Sequence, residues 1–384
     1  MKIADLMTLL DHHVPFSTAE SWDNVGLLIG DEDVEVTGVL TALDCTLEVV
    51  NEAIEKGYNT IISHHPLIFK GVTSLKANGY GLIIRKLIQH DINLIAMHTN
   101  LDVNPYGVNM MLAKAMGLKN ISIINNQQDV YYKVQTYIPK DNVGPFKDKL
   151  SENGLAQEGN YEYCFFESEG RGQFKPVGEA NPTIGQIDKI EYVDEVKIEF
   201  MIDAYQKSRA EQLIKQYHPY ETPVFDFIEI KQTSLYGLGV MAEVDNQMTL
   251  EDFAADIKSK LNIPSVRFVG ESNQKIKRIA IIGGSGIGYE YQAVQQGADV
   301  FVTGDIKHHD ALDAKIHGVN LIDINHYSEY VMKEGLKTLL MNRFNTEKIN
   351  IDVEASTINL SLINIGRCRR KERCRTQGTP SHQQ

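Results

Sequence analysis

Short apolar runs alternate with amphipathic helical patterns along most of this chain, and this alternation restricts the possible folds more than any other feature. Residues 36–44 predict a strand, residues 47–56 a helix with Gly57 as its stop signal, and residues 60–63 the next strand. Strands that alternate with helices are typical of α/β proteins in which neighbouring strands run parallel. The sequence therefore predicts an α/β fold with mostly parallel strands.

The same alternation occupies both ends of the chain. Residues 93–98 predict a strand between helices at 81–90 and 108–116. The second half repeats the pattern, with predicted strands at 278–282, 300–304 and 320–324 and helices at 250–261, 289–296, 311–317 and 327–344. We expect these parts to form one α/β domain of two lobes, residues 1–127 and residues 236–365.

Residues 128–235 break the α/β alternation. Their elements are predicted in the order β-α-β-β-α-β, with strands at 131–138, 161–167, 197–202 and 224–231 and helices at 143–153 and 206–216. This order is that of the ferredoxin-like arrangement. We therefore expect an inserted ferredoxin-like α+β domain between the two lobes.

Composition argues against several classes of protein. The net charge of −13 makes the surface repel polynucleotides and anionic membranes, so we expect neither as a partner. No apolar run approaches the roughly 20 residues of a membrane span, and the first residues lack a secretory signal. Cys45 and Cys164 stand far apart, as in proteins of a reducing compartment. These observations predict a cytoplasmic protein.

The C-terminal segment, residues 366–384, differs in composition from the rest of the chain. It concentrates arginine and lysine, has Glu372 as its lone acid, and lacks apolar periodicity. A basic tail can bind nucleic acid, but this one is more typical of a disordered tail or an artificial extension. We assign it no function.

Adjacent histidines follow one of the predicted strands. His64 and His65 come directly after residues 60–63, and Pro66 forces an extended turn at that point. Within a strand the two rings would point to opposite faces, but at its end both can enter one cavity. Neutral imidazole is the commonest metal ligand in proteins. The alternative is a pair of surface histidines in a loop.

Two further strands are followed by side chains of the same kind. Asp102 lies just beyond the strand at 93–98, where it could instead be a turn former that bonds its own backbone. His326 and Glu329 follow the strand at 320–324 and lie at i and i+3, on one face of the next helix. Glu329 could also serve only to favour the helix dipole.

Together these segments predict a metal site. Open α/β sheets place their ligands at the carboxyl ends of strands, so the side chains described above could converge: His64, His65, Asp102, His326 and Glu329. This nitrogen and oxygen set is too large for one tetrahedral zinc and suits two divalent ions. The same donors accept Zn, Mn, Fe or Co, of which we expect zinc first.

The chain resembles the GTP cyclohydrolase I type 2 homologue family, also described as NGG-interacting-factor-like proteins. The resemblance runs from Met1 to about Thr357 and is lost after about Ile358. Besides the ligand segments, it rests on these motifs: Trp22-Asp23-Asn24-Val25-Gly26-Leu27, His64-His65-Pro66-Leu67-Ile68-Phe69, His98-Thr99-Asn100-Leu101-Asp102, Thr303-Gly304-Asp305-Ile306-Lys307-His308-His309 and His326-Tyr327-Ser328-Glu329. This combination of motifs is specific to the family.

The resemblance implies a dinuclear site with the five ligands named above, in which Asp102 is the natural bridging carboxylate. It also implies a ring-shaped homohexamer whose metal sites open towards a central cavity, and an insert that looks like the CutA and PII signalling folds. The family name suggests GTP as substrate, with attack on the imidazole carbon of the purine and release of formate.

Other residues near the predicted site have less certain roles. We expect His98 and His308 to be catalytic, with His98 as a proton shuttle and His308 lining the same rim together with His309. The alternative is that these histidines only support the ligands. The loop at 283–288 could cradle a phosphate on its backbone N–H groups, or it could be a tight turn that needs glycine. We expect the single tryptophan, Trp22, to be a core anchor beside the site.

Two functions from different classes remain open. The first is a metal-dependent hydrolase in which two ions generate a hydroxide that attacks a nucleotide-like substrate. The second is a metal-binding regulatory or scaffold protein, whose hexamer and PII-like insert sense a small ligand or dock a protein partner. Loss of turnover on replacing His64 or Asp102 by alanine would favour the first.

Overall fold

The computed structural model describes residues 1–359. The described residues form two compact units, one made of Met1–Asn126 together with the residues from Leu235 to 359, and the other of Gln127–Ser234. The basic tail predicted at 366–384 lies outside the described residues. Among the residues described, no helix is long and apolar enough to cross a membrane.

The first part of the larger unit alternates strands and helices as predicted. Its elements are α1 (Ile3–His13), β1 (Gly26–Ile29), β2 (Val39–Ala42), α2 (Leu47–Lys56), β3 (Thr60–Ser63), α3 (Gly79–Gln89), β4 (Asn93–Ala96), α4 (Thr99–Val103), α5 (Val108–Ala115) and β5 (Lys119–Ile123). Helix α2 shows how the sequence sets these bounds. The Thr46 side chain accepts a hydrogen bond from the Val49 amide, and Gly57 ends the helix in the left-handed conformation, as its position predicts.

The smaller unit contains a separate sheet and core. Its elements are β6 (Asn126–Pro139), α6 (Val143–Glu152), β7 (Phe166–Phe174), β8 (Glu191–Asp203), α7 (Lys207–Tyr217) and β9 (Phe225–Gly237), and its strands lie in the order β7-β8-β6-β9. Both helices contribute buried residues to its core, among them Phe146 and Leu213.

One strand of this unit starts later than predicted. The expected strand at 161–167 is instead β7, which begins at Phe166 and pairs antiparallel with β8. Tyr161 and Glu158 form an isolated bridge, and Tyr163 has a φ of +62°, so the backbone turns before the strand begins. The aromatic residues there suggested a strand, whereas the true strand is polar because much of it is exposed.

The second part of the larger unit follows the insert. Its elements are β10 (Val240–Thr249), α8 (Leu250–Lys260), β11 (Arg267–Val269), β12 (Lys275–Ile281), α9 (Glu290–Gln295), β13 (Val300–Thr303), α10 (His308–Ile316), β14 (Leu321–Asp323), a 3₁₀ helix (His326–Tyr330), α11 (Val331–Glu347) and β15 (Val353–Ala355).

The larger unit contains two sheets. The first has the order β1-β4-β3-β2-β15 and the second the order β11-β14-β13-β12-β10-β5. In the first sheet β2, β3, β4 and β15 run parallel, and β1 is antiparallel to β4. In the second sheet β12, β13 and β14 run parallel, while β11, β10 and β5 pair antiparallel with their neighbours.

The prediction of mostly parallel strands therefore describes the first sheet better than the second. The difference comes largely from β10, which was not predicted and pairs antiparallel with both β12 and β5. Its first half is buried, but its second half, residues 245–247, is exposed and polar, which obscures the strand pattern in the sequence.

The largest apolar core of the larger unit contains residues of both its sheets. It contains Ile62 and Ile95 from the first sheet and Val302 and Ile322 from the second, and all four are fully buried. Leu336 of α11 belongs to the same core. Because both sheets pack into one core, the carboxyl ends of their parallel strands are held in fixed positions relative to one another.

Candidate metal centre

Parallel strands from both sheets of the larger unit end at the candidate site. His64 and His65 follow β3, and Asp102 lies in α4 after β4. His326 and Glu329 lie on the 3₁₀ helix that follows β14 of the other sheet. Carboxyl ends of parallel strands share one edge of a sheet. The three segments chosen from the sequence therefore meet in space.

Potential ligand atoms of these residues fall into three overlapping groups. His65, His326 and Glu329 form one group, and His64, Asp102 and Glu329 form another, each with all ligand atoms within 4.8 Å of one another. A third group joins His64, His65 and His98. All five predicted ligands thus lie in one cluster, and His98 lies beside them.

Glu329 is the carboxylate that the first two groups share. Its Oε2 atom lies 3.3 Å from Nε2 of His65, 3.4 Å from Nε2 of His326 and 3.8 Å from Nε2 of His64. Asp102 Oδ1 lies 3.5 Å from Nε2 of His64. The resemblance implies Asp102 as the bridging residue, whereas here the carboxylate common to both groups is Glu329.

These separations fit a metal ion better than direct hydrogen bonds. Ligand atoms at 2.0–2.2 Å from a tetrahedral ion are about 3.4 Å apart, close to most of the distances around Glu329. Glu329 is 3% exposed, and its Oε2 has no hydrogen-bond partner among the described residues. A buried carboxylate oxygen without a partner is costly, and a divalent cation would satisfy it.

Each histidine of the cluster is oriented through its second ring nitrogen. Nδ1 of His64 lies 2.8 Å from the Met97 carbonyl oxygen. The partners of the other three are carboxylates: Asp44 for His65 at 2.7 Å, Asp305 for His326 at 2.6 Å and Asp23 for His98 at 2.9 Å. With Nδ1 engaged in this way, Nε2 is left to face the cluster, which is the usual arrangement of metal-binding histidine.

Local sequence patterns do not identify the three orienting carboxylates or Asn109. Asp23, Asp44 and Asp305 each lie in a loop next to a strand, and their partners are distant in sequence, so no local spacing identifies them. Asn109 donates to the Asp102 carbonyl and accepts from the Gly283 amide at 2.7 Å. It therefore connects the segment that carries Asp102 to the glycine loop at 283–288.

The electrostatic field of the cluster favours positive charge. Burial lowers the pKa of His65, but the carboxylates of Asp44 and Glu329 outweigh it and raise that pKa to about 10. Burial also lowers the pKa of His64, and Asp102 and Glu329 again produce a net increase. Burial raises the pKa of Asp102 to about 6 against the attraction of His64. The negative charge of the carboxylates thus dominates the electrostatics of the histidines, as expected where a cation binds.

The glycine loop at 283–288 makes room for Glu329. A Cβ atom at Gly284 would lie 2.6 Å from Glu329 Oε1, and one at Gly283 would lie 3.1 Å from the same atom. Gly284 also has a φ of +60°, which favours glycine. Of the two alternatives for this loop, the geometry favours the turn that needs glycine, here for close approach to the carboxylate.

His98 and His308 have different positions. The His98 ring lies 5.2 Å from that of His64, between centroids, and one of its ring nitrogens belongs to a ligand group with His64 and His65. His308 is exposed at the start of α10 and lies against His309. His308 is absent from the ligand groups found in the described part of the chain. Its predicted place on the rim stays a prediction.

Trp22 is not the core anchor that was expected. It is 57% exposed, with its ring 6.3 Å from that of His98. Trp22 precedes β1, and the adjacent Asp23 contacts Nδ1 of His98. The predicted place beside the site is therefore correct, but the predicted burial of Trp22 is wrong.

Comparisons with known proteins match nearly the whole chain. The sequence model of Duf34/NIF3 (NGG1p interacting factor 3) matches residues 1–360. A Staphylococcus aureus (strain COL) protein named GTP cyclohydrolase 1 type 2 homolog is 99% identical over 94% of this chain and 98% of its own length.

Two solved structures are similar over the same extent. A crystal structure of a Staphylococcus aureus protein aligns with a TM-score of 0.82 at 92% identity, covering 94% of this chain and 98% of that one. A crystal structure of a Bacillus cereus protein related to NIF3 has a TM-score of 0.72 at 36% identity with the same coverage.

Proposed function

The chain belongs to the Duf34/NIF3 family, as its motifs predict, and from this and the geometry of its ligand cluster we propose that it is a dinuclear metal-dependent hydrolase. The observation that carries the proposal is the buried Glu329 Oε2, which faces three imidazole nitrogens and has no hydrogen-bond partner among the described residues. Zinc is the ion we expect first, since the donors are imidazole and carboxylate.

We assign one ion to each of the two ligand groups that contain Glu329. His64 and Asp102 would hold the first ion and His65 and His326 the second, with Glu329 shared between them. Such a pair of ions lowers the pKa of bound water and clamps the reacting oxygens of the substrate. Asp44 and Asp305 keep the rings of the second group in place through Nδ1.

His98 is the candidate for proton transfer. Asp23 holds its Nδ1, and the Asp23 carboxylate is itself fixed by the amide and hydroxyl of Thr99 at 3.0 and 2.6 Å. His98 therefore presents Nε2 to the cluster in a fixed orientation, where it can accept and return a proton. Membership of a ligand group with His64 and His65 is the alternative role.

We infer the substrate class from the names of the relatives. Several carry the name GTP cyclohydrolase 1 type 2 homolog, so a nucleotide-like substrate is the first to test, with GTP at the head of the panel.

Metal analysis combined with a turnover assay tests this function. We expect about two ions per chain in protein purified without added metal, and release of formate or phosphate from at least one nucleotide. Asp102→Ala should abolish turnover, whereas Asp33→Ala, which removes an exposed carboxylate paired with Lys2, should leave it unchanged. Bound metal with no turnover on any nucleotide would contradict the hydrolase.

The smaller unit supports a second candidate, a metal-binding regulatory protein. Its element order β-α-β-β-α-β and strand order are those of a ferredoxin-like fold, in line with a CutA/PII-like insert. It also contains a cavity of about 370 Å³ lined by Tyr137, Phe174 and Tyr220, a volume suited to a small ligand. A ligand that binds the insert and changes metal affinity would favour this function.

The homohexamer implied by the family resemblance is part of the first proposal. Sedimentation analysis of the metal-loaded protein would test it, and a monomer at micromolar concentration would contradict it.

A further inference from the structure

An exposed aromatic pair adjoins the ligand cluster. Trp22 and Phe69 are 57% and 45% exposed, and their ring centroids are 5.8 Å apart at an interplanar angle of 53°. Trp22 precedes β1, and Phe69 follows the segment that begins with His64 and His65. Large aromatic side chains of this kind are usually buried, so their exposure beside a candidate active site needs an explanation.

Hydrogen bonds fix this pair relative to the cluster. The Asn24 side-chain amide donates to the Ile68 carbonyl oxygen at 2.5 Å and so joins the loop of Trp22 to that of Phe69. Asp23, next to Trp22, binds Nδ1 of His98. The His98 ring lies edge-on to Trp22 at 6.3 Å and 79°. The exposed rings therefore have a defined position next to His98 rather than a place on a free loop.

A second side of the cluster, at His65 and His326, is polar and charged. A cavity of about 240 Å³ there is lined by Asp44, Asp305 and Asp323 and by Arg267, which pairs with Asp323. The cluster thus has an aromatic side, at His98, and a charged side, at His326. A flat, uncharged ring fits the aromatic side better than the charged cavity.

We propose that Trp22 and Phe69 form a stacking surface that binds a planar heteroaromatic ring of the substrate and holds it against the His98 side of the metal cluster. This inference rests on the proposed function and adds the residues that bind the ring of its nucleotide-like substrate. Stacking of a base on an aromatic side chain contributes about tenfold or more to affinity. Trp22 and Phe69 are positioning residues and take no part in proton transfer.

Trp22 is the only tryptophan of the chain, so intrinsic tryptophan fluorescence reports on this surface alone. We expect saturable quenching when the metal-loaded protein is titrated with guanosine 5′-monophosphate, and none with ribose 5-phosphate, which lacks the ring. Free N-acetyltryptophanamide under the same conditions corrects for collisional quenching. Equal responses to both probes, or quenching no stronger than that of the free amide, would overturn the proposal.

Variants separate this surface from the reaction itself. Trp22→Ala and Phe69→Ala should each raise KM about tenfold or more with kcat nearly unchanged, and Trp22→Phe should recover most of the loss because it keeps a ring. Tyr205→Ala, which removes an aromatic residue that is 82% exposed in the smaller unit, is the control. If the KM of Trp22→Ala were unchanged, stacking would be contradicted. The same conclusion would hold if this variant changed its oligomeric state and kept its KM.

The two proposals can fail separately. Saturable, ring-dependent quenching without turnover of any nucleotide would support the stacking surface and contradict the hydrolase. Turnover with unchanged KM in both aromatic variants would support the hydrolase and contradict the stacking surface.

Discussion

At the scale of single residues, the site depends on Glu329. Its carboxylate is buried, belongs to both ligand groups and contacts histidines from both sheets of the larger unit. Attraction to a cation lowers the free energy of this carboxylate, which burial alone would raise. The neighbouring histidines also favour the ionised form: burial alone would raise the pKa of Glu329, but the attraction of the His64 and His65 imidazoles outweighs it and shifts this pKa downward.

Replacing Glu329 by glutamine tests whether it is shared. The amide has the same shape but no charge, so Glu329→Gln should lower the metal content by both ions. Asp102→Asn should mainly remove the ion held by His64, since Asp102 belongs to one of the Glu329 groups. Metal content is measured by plasma mass spectrometry after desalting. Equal losses in the two variants would contradict a shared Glu329.

The site includes orienting carboxylates as well as the predicted metal ligands. Asp23, Asp44 and Asp305 each contact Nδ1 of one histidine at 2.6–2.9 Å. Partners of this kind typically affect metal affinity 10- to 100-fold. They hold rings that would otherwise rotate, so the geometry of the cluster is set partly outside it.

At the scale of elements, the ligands depend on how each strand ends. Both His64 and His65 continue the hydrogen-bond pattern of β3, since their amides donate to carbonyl oxygens of Ala42 and Leu43 at 3.1 and 2.9 Å. His326 and Glu329 lie on a 3₁₀ helix, in which residues at i and i+3 are directly in line. This brings their side chains closer than an α-helix would.

The glycine loop offers a test at this scale. Gly284→Ala should cost about 1–2 kcal/mol for the left-handed backbone and should also reduce metal binding, because the new methyl group would displace Glu329. Gly57→Ala is the matched control: its φ is +71°, but a Cβ atom there would meet nothing within 4 Å. It should cost similar stability and keep the metal.

Chemical denaturation and metal analysis of both variants give the two quantities needed. If Gly284→Ala retained full metal content, the loop would have no role in placing Glu329. If Gly57→Ala also lost metal, general destabilisation would be the explanation instead.

At the scale of the whole molecule, the chain consists of two units with separate cores. The larger contains the ligand cluster, and the smaller has a core formed by its own sheet and two helices. Separate cores predict separate unfolding transitions. Metal bound only to the folded larger unit would stabilise that unit, by about 2.7 kcal/mol when free metal is 100 times the dissociation constant.

Calorimetry with and without a chelator tests this expectation. Removal of metal should lower the midpoint of one transition and leave the other unchanged. Glu329→Gln serves as the control: it should lose both ions, so the metal-sensitive transition should already be low in this variant and should respond little to chelator. A single transition, or a shift of both, would contradict independent units.

Sequence alone determined the α/β class, the interruption by a segment of β-α-β-β-α-β order and the residues gathered in the cluster. Those inferences rest on local sequence. Residues close together in the chain determine the hydrophobic periodicity, the glycines that end helices and the side chains at strand ends. His64 and His65, or His326 and Glu329, are close in the chain and could be selected together.

Other features of the site and the fold were decided only by the tertiary structure. The sharing of Glu329, the pairing of Asp44, Asp305 and Asp23 with histidines, and the exposure of Trp22 all depend on contacts between segments far apart in sequence. The antiparallel strand β10 was missed for the same reason, since its partners β5 and β12 lie in distant parts of the chain. Such contacts are set by the packing of two sheets into one core, which no local pattern encodes.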